Sequence, residues 1–177
     1  LRYGFVGAGF IARFQLAALA QLRGIDVAGV TAVKGAPELA ALASSLGLGT
    51  PAVYDSVGEL AKHVDCVFIC APNYARLEIV EAIVEAVKAG ARLKGVICEK
   101  PLGRNVAEAR RLVELARDAD LRTAYFENQI FMKPIRAQLA QLEPVRRQMG
   151  PMSLVRSAEE HGGPHEGWFW DPTRQGG

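Results

Sequence analysis

The glycine-rich stretch Gly7–Ala12 reads Gly-Ala-Gly-Phe-Ile-Ala and directly follows a short apolar run. In a G-x-G-x-x-A spacing, the first glycine (Gly7) permits a tight turn, and the second (Gly9) lets a ligand approach the main chain. The alanine that ends the motif lets the following helix pack close to the preceding strand. We therefore expect the main-chain N–H groups of Phe10 and Ile11, at the positive end of that helix, to bind the diphosphate of a dinucleotide.

A second candidate is the pair of opposite charges Glu99 and Lys100, which stands before Pro101 at the end of another apolar run. The proline favours an extended conformation for Lys100. An ammonium group in that place can donate a hydrogen bond to a substrate oxygen and stabilise it as negative charge develops. The alternative interpretation is an ordinary ion pair between Glu99 and Lys100 at a strand end.

The cofactor is predicted from a missing carboxylate. The strand expected over Val27–Thr31 does not end in the acidic residue that binds the ribose 2′-hydroxyl of NAD, and Asp26 precedes the strand, at the wrong edge of the sheet. Without that carboxylate a 2′-phosphate is not repelled, and the Thr31 hydroxyl and the Lys34 ammonium lie nearby. NADP is therefore preferred over NAD, although Lys34 could equally be a solvated loop lysine.

The elements that must position these residues alternate along the chain. Near-continuous apolar runs of strand length and stretches of helical period indicate an α/β fold with a doubly wound parallel sheet, a Rossmann domain. The expected strands are Tyr3–Val6, Val27–Thr31, Ala52–Tyr54, Cys66–Ala71, Val96–Glu99 and Thr123–Phe126. The expected helices are Phe10–Leu22, Pro37–Leu46, Val57–His63, Ala75–Ala89 and Val106–Ala119. The carboxyl ends of such strands meet at one edge, where ligands bind.

After residue 127 the pattern changes, and we assign residues 1–127 to the dinucleotide-binding domain and 128–177 to the beginning of an incomplete α+β substrate domain. The second part contains a short helix candidate, Pro134–Leu142, which Glu143-Pro144 is expected to end or kink. Ser153–Ser157 is a strand candidate. Because the chain starts inside a strand and stops in a loop, we expect it to be a fragment of a longer protein.

Composition limits the partners. The chain has 177 residues, 50% of them hydrophobic, and its 21 basic and 19 acidic residues give a formal charge of +2. That balance does not favour nucleic acid. No apolar run is long enough to span a membrane and no secretory signal opens the chain, so a cytoplasmic protein is expected. The cysteines, Cys66, Cys70 and Cys98, all lie in apolar runs and are expected to be reduced thiols.

Four motifs in order together resemble the Gfo/Idh/MocA family, which includes glucose-fructose oxidoreductase and inositol dehydrogenase. They are Gly7–Ala12, Asp65–Asn73, Glu99–Leu102 and Gly163–Asp171, and the resemblance covers essentially the whole chain. It implies hydride transfer between NAD(P) and a carbon that bears a hydroxyl group, often on a sugar, a cyclitol or a related polyol. It also implies that the full-length protein is a homo-oligomer.

The resemblance assigns roles to further residues. Lys100 matches the lysine beside the nicotinamide and the reacting oxygen. Ala71, Pro72 and Asn73 match a loop that lines the adenosine ribose and the nicotinamide, and Trp168 matches an aromatic residue that reaches the cofactor in some members.

The chain also departs from the family pattern. Arg76 replaces a common histidine and is interpreted as another phosphate-facing cation, while Phe169 replaces a frequent arginine. The D-x-G-x-H segment that should supply the acid/base histidine is expected beyond Gly177.

The end of the chain offers weaker candidates. Asn128, after the sixth strand, is interpreted either as a contact to the nicotinamide or substrate or as an interdomain hydrogen bond. His161 and His165 stand beside acidic residues, but the glycines and the proline between them prevent presentation on a helix, so no metal site is expected. A polar contact from either histidine to the substrate is the preferred interpretation.

Two functions remain open. The first is an NADP-preferring oxidoreductase acting on a sugar-like or polyol substrate, with Lys100 polarising the reacting oxygen. The second is a nucleotide-sensing regulator of the same fold that binds NAD(P) without turnover. An intact Lys100 favours the enzyme, and a complete gene without the downstream histidine would favour the regulator.

Overall fold

The computed structural model describes residues 1–158, 160, 162–163 and 166–176. The chain divides into two compact units. The first contains Leu1–Phe126 and the segment that begins at Asp171, and the second is Glu127–Trp170. The segment from Asp171 onward therefore lies in the first unit, although the sequence places it in the second domain.

The first unit is built on a six-stranded sheet whose strands all run parallel. The strands are β1 (Arg2–Val6), β2 (Asp26–Thr31), β3 (Ala52–Val53), β4 (Cys66–Ile69), β5 (Gly95–Glu99) and β6 (Arg122–Phe126). Their order is β3-β2-β1-β4-β5-β6, so the direction of winding reverses between β1 and β4. Such a reversal opens a crevice at the carboxyl ends of the two strands, and ligands bind there in this class of fold.

Helices cover the sheet. They are α1 (Phe10–Leu19), α2 (Ala36–Ser45), α3 (Val57–Lys62), α4 (Arg76–Lys88), α5 (Val106–Asp118), α6 (Lys133–Met149) and α7 (Pro172–Gln175), of which α6 belongs to the second unit. A 3-10 turn, Asn73–Ala75, precedes α4. The doubly wound Rossmann fold predicted from the sequence is confirmed, with element ends that differ by one to three residues.

The hydrophobic core forms one layer on each face of the sheet. On one face, Phe5 of β1 packs with Leu16 of α1 and Leu39 of α2. On the other face, the core contains Leu60 of α3 and Ile83 of α4. All five are completely buried, and burial of each side chain contributes about 1.5–3 kcal/mol. Two such layers hold the sheet, and with it the loops at its carboxyl edge.

The second unit corrects two expectations. Helix α6 continues through Pro144 to Met149, although the sequence predicts that Pro144 ends or kinks it near Leu142. Glu143 forms exposed ion pairs with Arg146 and Arg147 one turn further on, but such pairs contribute only about 0.3–0.5 kcal/mol each and do not explain why the helix continues through Pro144. The predicted strand over 153–157 does not form, because a strand needs a partner and the described part of the chain offers none there.

The cysteines are unpaired thiols, of which Cys70 and Cys98 are buried and Cys66 is half-buried. Burial is the main cause that raises the pKa of both the Cys70 and the Cys98 thiol, so these residues are packing groups at neutral pH. Among the described residues, no helix has the length and apolar character needed to cross a membrane.

Candidate functional site

The glycine loop fits between the ends of three strands. The N–H group of Gly7 donates to the carbonyl oxygen of Thr31 at 2.9 Å, and the N–H group of Cys70 donates to the carbonyl oxygen of Val6 at 2.8 Å. Gly7 has φ +97°, and a Cβ atom on it would lie 2.9 Å from the main-chain nitrogen of Ala71. Only glycine meets both conditions without strain, so the turn seen here depends on this residue.

The amino end of α1 is open towards the crevice. Gly9 caps the helix, no side chain accepts a hydrogen bond from the first turn, and the first turn carries no acidic residue. A Cβ atom on Gly9 would meet no described atom within 4 Å. Phe10 is 80% exposed and Ile11 is half-buried. The main-chain N–H groups of this turn have no partner inside the helix, so an anion can bind them.

Glu99 lies buried at the end of β5, with 6% of its surface exposed. Its Oε1 atom accepts a hydrogen bond from Nε2 of Gln15 at 2.5 Å, and its Oε2 atom accepts one from the main-chain nitrogen of Lys100 at 3.3 Å. Gln15 is not predicted as a site residue from the sequence. The available signal was its position on α1 beside buried Leu16, where an amide that faces the sheet needs a polar partner.

The side chain of Lys100 is exposed at the carboxyl edge of the sheet. Its ammonium group makes no hydrogen bond or ion pair with the residues that the structure describes, and the peptide bond to Pro101 is cis. The Glu99 carboxylate contacts the main chain of Lys100 rather than its ammonium. The ordinary ion pair considered from the sequence is therefore not what the structure shows, and the ammonium remains free for a ligand.

Arg76 occupies a different place from the one predicted. It is 3% exposed, and its guanidinium donates to main-chain carbonyls: Nε to Ala71 at 3.1 Å, Nη2 to Lys100 at 3.3 Å, and Nη1 to Glu99 and Pro101. Because the N–H groups of this buried guanidinium donate to main-chain carbonyls, they are not directed at a phosphate in the crevice. The interpretation of Arg76 as a phosphate-facing cation is therefore wrong.

The loop after β4 contains Ala71, Pro72 and Asn73, of which Ala71 and Asn73 are buried and Pro72 is half-buried. Nδ2 of Asn73 donates to the carbonyl oxygen of Gln175 at 2.9 Å. Its Oδ1 atom is buried and has no hydrogen-bond partner within the described chain. Asn73 therefore ties this loop to α7.

The segment Asp171–Gly176, which contains α7, is also bound to the loop that follows Lys100. Nη1 of Arg104 donates to the carbonyl oxygen of Thr173 at 2.8 Å. Gly176 has φ +102°, and a Cβ atom on it would overlap the carbonyl oxygen of Arg104. The guanidinium of Arg174 lies 5.5 Å from the centre of the Tyr74 ring. The segment thus contacts the loops that follow β4 and β5.

The end of β2 and the loop after it contain Thr31 and Lys34, the residues from which a preference for NADP over NAD is predicted. Thr31 is buried at the end of β2 and Lys34 is exposed. Asp26 is the first residue of β2 and pairs with Arg2 at 3.9 Å, at the opposite edge of the sheet from the glycine loop. It is part of the strand rather than before it, and its distance from the carboxyl edge agrees with its exclusion as a ribose ligand.

The remaining predicted residues lie in the second unit or outside the described chain. Asn128 is exposed, and Trp168 stacks on Phe169 with ring centres 4.0 Å apart. Their contacts with a cofactor remain predictions. His161 and His165, the predicted substrate contacts, lie outside the described residues.

Solved structures share this fold. A probable dehydrogenase from Thermotoga maritima is 25% identical, with a TM-score of 0.65 over 85% of this chain and 42% of that one. UDP-N-acetylglucosamine 3-dehydrogenase GnnA from Acidithiobacillus ferrooxidans is 24% identical, with a TM-score of 0.62 over 79% of this chain and 42% of that one. A putative myo-inositol dehydrogenase from Sinorhizobium meliloti is 22% identical, with a TM-score of 0.64 over 82% and 42%.

Sequence comparison gives the family. An uncharacterized protein of Saccharomyces cerevisiae, YMR315W, is 34% identical over 95 residues, which are 52% of this chain and 26% of that protein. The chain thus spans about a quarter of this relative and less than half of the solved structures. Residues 1–126 match the family described as "Oxidoreductase family, NAD-binding Rossmann fold". The glycine loop, the Glu99-Lys100-Pro101 strand end and the reversed sheet all lie within that match, and the chain belongs to the Gfo/Idh/MocA oxidoreductase family.

Proposed function

We propose that the whole protein is an NAD(P)-dependent oxidoreductase that transfers a hydride between the nicotinamide and a hydroxyl-bearing carbon of a sugar, a cyclitol or a related polyol. One observation carries the proposal: the exposed Lys100 ammonium stands at the same edge of the sheet as the open amino end of α1. Two similar structures, the putative myo-inositol dehydrogenase and UDP-N-acetylglucosamine 3-dehydrogenase GnnA, support the substrate class.

The residues of the first unit fit a dinucleotide. The turn at Gly7 and the open space above Gly9 leave room for a diphosphate against the N–H groups of Phe10 and Ile11. The loop that contains Asn73 follows the strand on the far side of the crevice, and we propose that this loop lines the ribose and the nicotinamide. When bound, the nicotinamide supplies the carbon that accepts or gives the hydride.

Lys100 is the proposed catalytic residue. Its ammonium donates a hydrogen bond to the oxygen of the reacting carbon and stabilises the negative charge that grows there when the hydroxyl proton is removed. The buried Glu99 carboxylate accepts from the main chain of Lys100, which keeps it away from the ammonium. The hydroxyl proton requires a base other than Lys100, and we propose that a histidine takes this role, as the family resemblance implies.

The preference for NADP over NAD is part of the proposal. In support of it, Lys34 is exposed beyond β2, and the nearest acidic residue of that strand, Asp26, lies at its other end. A 2′-phosphate would gain a charge-assisted hydrogen bond from Lys34 and meet no carboxylate of β2.

The test is made on the full-length protein. Binding of NADPH and NADH is measured by nicotinamide fluorescence, and oxidation of a panel of sugars, cyclitols and polyols is followed by absorbance of the reduced cofactor. The enzyme is supported if the wild-type protein turns over a compound of the panel and if Lys100→Met loses this turnover while it still binds the cofactor. Tight binding with no turnover across the panel would instead support the nucleotide-sensing regulator, and failure to bind either cofactor would overturn the proposal.

A further inference from the structure

Arg76 is a buried cation that no acidic residue of the described chain neutralises. It is the first residue of α4 and only 3% of its surface is exposed. No carboxylate within the described residues lies at ion-pair distance from its guanidinium. A buried charge costs several kcal/mol unless its hydrogen bonds are satisfied, so the structure must compensate Arg76 in another way.

The compensation comes from four main-chain carbonyls. One acceptor, Ala71, belongs to the loop after β4. The others are three consecutive residues, Glu99, Lys100 and Pro101, at and after the end of β5. Four of the five guanidinium donors are therefore occupied, and the planar group joins two loops that have no main-chain ladder with each other at this level of the sheet.

The same strand end is held from the opposite side. Gln15 of α1 donates to the Glu99 carboxylate, whereas Arg76 of α4 holds the Glu99 carbonyl. The main chain of Lys100 lies between these contacts, with its nitrogen on the Glu99 carboxylate and its carbonyl on Arg76. The direction in which the Lys100 side chain leaves the sheet is thus fixed by groups that do not contact its ammonium.

We propose that Arg76 is the positioning residue of Lys100: its guanidinium locks the main chain at positions 99–101 against the loop after β4 and so sets where the ammonium stands. The proposal rests on the proposed function for the role of Lys100 and adds a residue that acts on it indirectly. Lysine cannot replace Arg76, because a single ammonium nitrogen cannot reach acceptors in both loops as the planar fork does.

The experiment measures how accessible and reactive the Lys100 side-chain amine is in the full-length protein, and both change when the main chain at Lys100 moves. Acetylation rates are followed by mass spectrometry at Lys100 and, as an internal reference, at Lys88, an exposed residue paired with Glu85. The variants are Arg76→Lys and Arg76→Ala. The matched control is Arg117→Lys, which alters an exposed arginine paired with its neighbour Asp118.

In Arg76→Lys we expect the ratio of Lys100 to Lys88 acetylation to change by about threefold or more and turnover of the panel substrate to fall about tenfold or more while NADPH binding is retained, since a shift of about 1 Å is enough for such losses of rate. Arg117→Lys should leave both quantities unchanged. In Arg76→Ala, added guanidinium ion should fill the vacated space and restore the wild-type ratio, whereas methylammonium should not.

A folded Arg76→Lys protein with the wild-type acetylation ratio would overturn the proposal and reduce Arg76 to a stabilising group. If Arg76→Ala does not fold, Arg76→Lys alone decides. The acetylation ratio needs no cofactor, so it separates the two proposals: a changed ratio in a protein that binds neither NADPH nor NADH keeps the positioning role and removes the proposed function.

Discussion

Gln15 and Glu99 are 84 positions apart in the sequence, and a hydrogen bond of 2.5 Å joins them across the sheet. Gln15 lies on α1, the helix whose first turn is open to an anion, and Glu99 ends the strand that presents Lys100. Since the acceptor is a carboxylate, the bond is stronger than one between neutral groups. This contact therefore links α1, whose first turn is proposed to bind the diphosphate, to the strand that presents Lys100.

The first prediction concerns that contact. Gln15→Leu removes the donor and leaves a carboxylate that is 94% buried with one partner fewer, so the free energy of unfolding should fall by about 1–3 kcal/mol. Urea denaturation measures it. Gln21→Leu, at an exposed position after α1, is the control and should change the value by less than about 0.5 kcal/mol. Equal effects from the two variants would contradict the assigned contact.

The second prediction concerns the glycine turn. Gly7→Ala places a Cβ atom 2.9 Å from the main chain of Ala71 at a φ of +97° and should destabilise the protein by about 1–3 kcal/mol and weaken dinucleotide binding. Gly58→Ala, in α3 with open space around it, should be neutral or stabilising by up to about 1 kcal/mol. Thermal unfolding of the two variants with and without NADPH tests the contrast.

Much of this fold could be predicted because its signals are local. Apolar runs, helix periods and the Gly7–Ala12 spacing each lie within a few residues, and the structure confirms the doubly wound sheet that they predict. Gln15 is not predicted because its partner lies 84 positions away. Three of the four acceptors of Arg76 lie 23 to 25 positions away, and its residue type does not reveal whether its guanidinium faces solvent or main-chain carbonyls. Pro144 shows the same limit, since its local tendency to end a helix does not decide the extent of α6.

The third prediction tests cofactor choice. Lys34→Gln removes the exposed ammonium beyond β2, and NADPH should bind about tenfold more weakly while NADH binding stays the same. Lys62→Gln, which removes an exposed lysine paired with Glu59, is the control and should alter neither affinity. Equal losses for the two cofactors in Lys34→Gln would count against recognition of a 2′-phosphate by this residue.

The fourth prediction concerns the segment Asp171–Gly176. Gly176→Ala forces a Cβ atom onto the carbonyl oxygen of Arg104 at a φ of +102°, so the segment should detach from the loops after β4 and β5. Hydrogen exchange should then become faster in peptides that contain Asn73–Ala75 and Arg104. Gly167→Ala, at a position with open space around it, should leave exchange in those peptides unchanged. Unchanged exchange in Gly176→Ala would disprove the contact.

The fifth prediction is a pH dependence. Two hydrogen bonds lower the pKa of the Asp65 carboxyl in the folded protein. The one from the Lys94 ammonium has the larger effect, and the one from the main-chain N–H group of Arg2 has the next largest. The contribution of Asp65 is therefore fully present above the unfolded pKa of about 3.9 and is lost as the pH falls through the lower folded pKa.

Asp65→Asn should accordingly cost about 1 kcal/mol at pH 7 and almost nothing near pH 2, measured as the free energy of unfolding by urea. Asp118→Asn, which removes only an exposed pair with Arg117, is the control and should have little effect at either pH. A cost for Asp65→Asn that is the same at both pH values would contradict the linkage.

The division of the first unit between Leu1–Phe126 and the segment from Asp171 has a consequence for synthesis. A ribosome completes all six strands before it reaches Thr173 and Gln175, whose carbonyl oxygens accept from Arg104 and Asn73. During that interval the sheet can already be assembled, while Nη1 of Arg104 and Nδ2 of Asn73 still lack these two acceptors. The strands that carry the proposed site are therefore complete first, and the last contacts of the loops beside Lys100 can form only after Glu127–Trp170 has been synthesised.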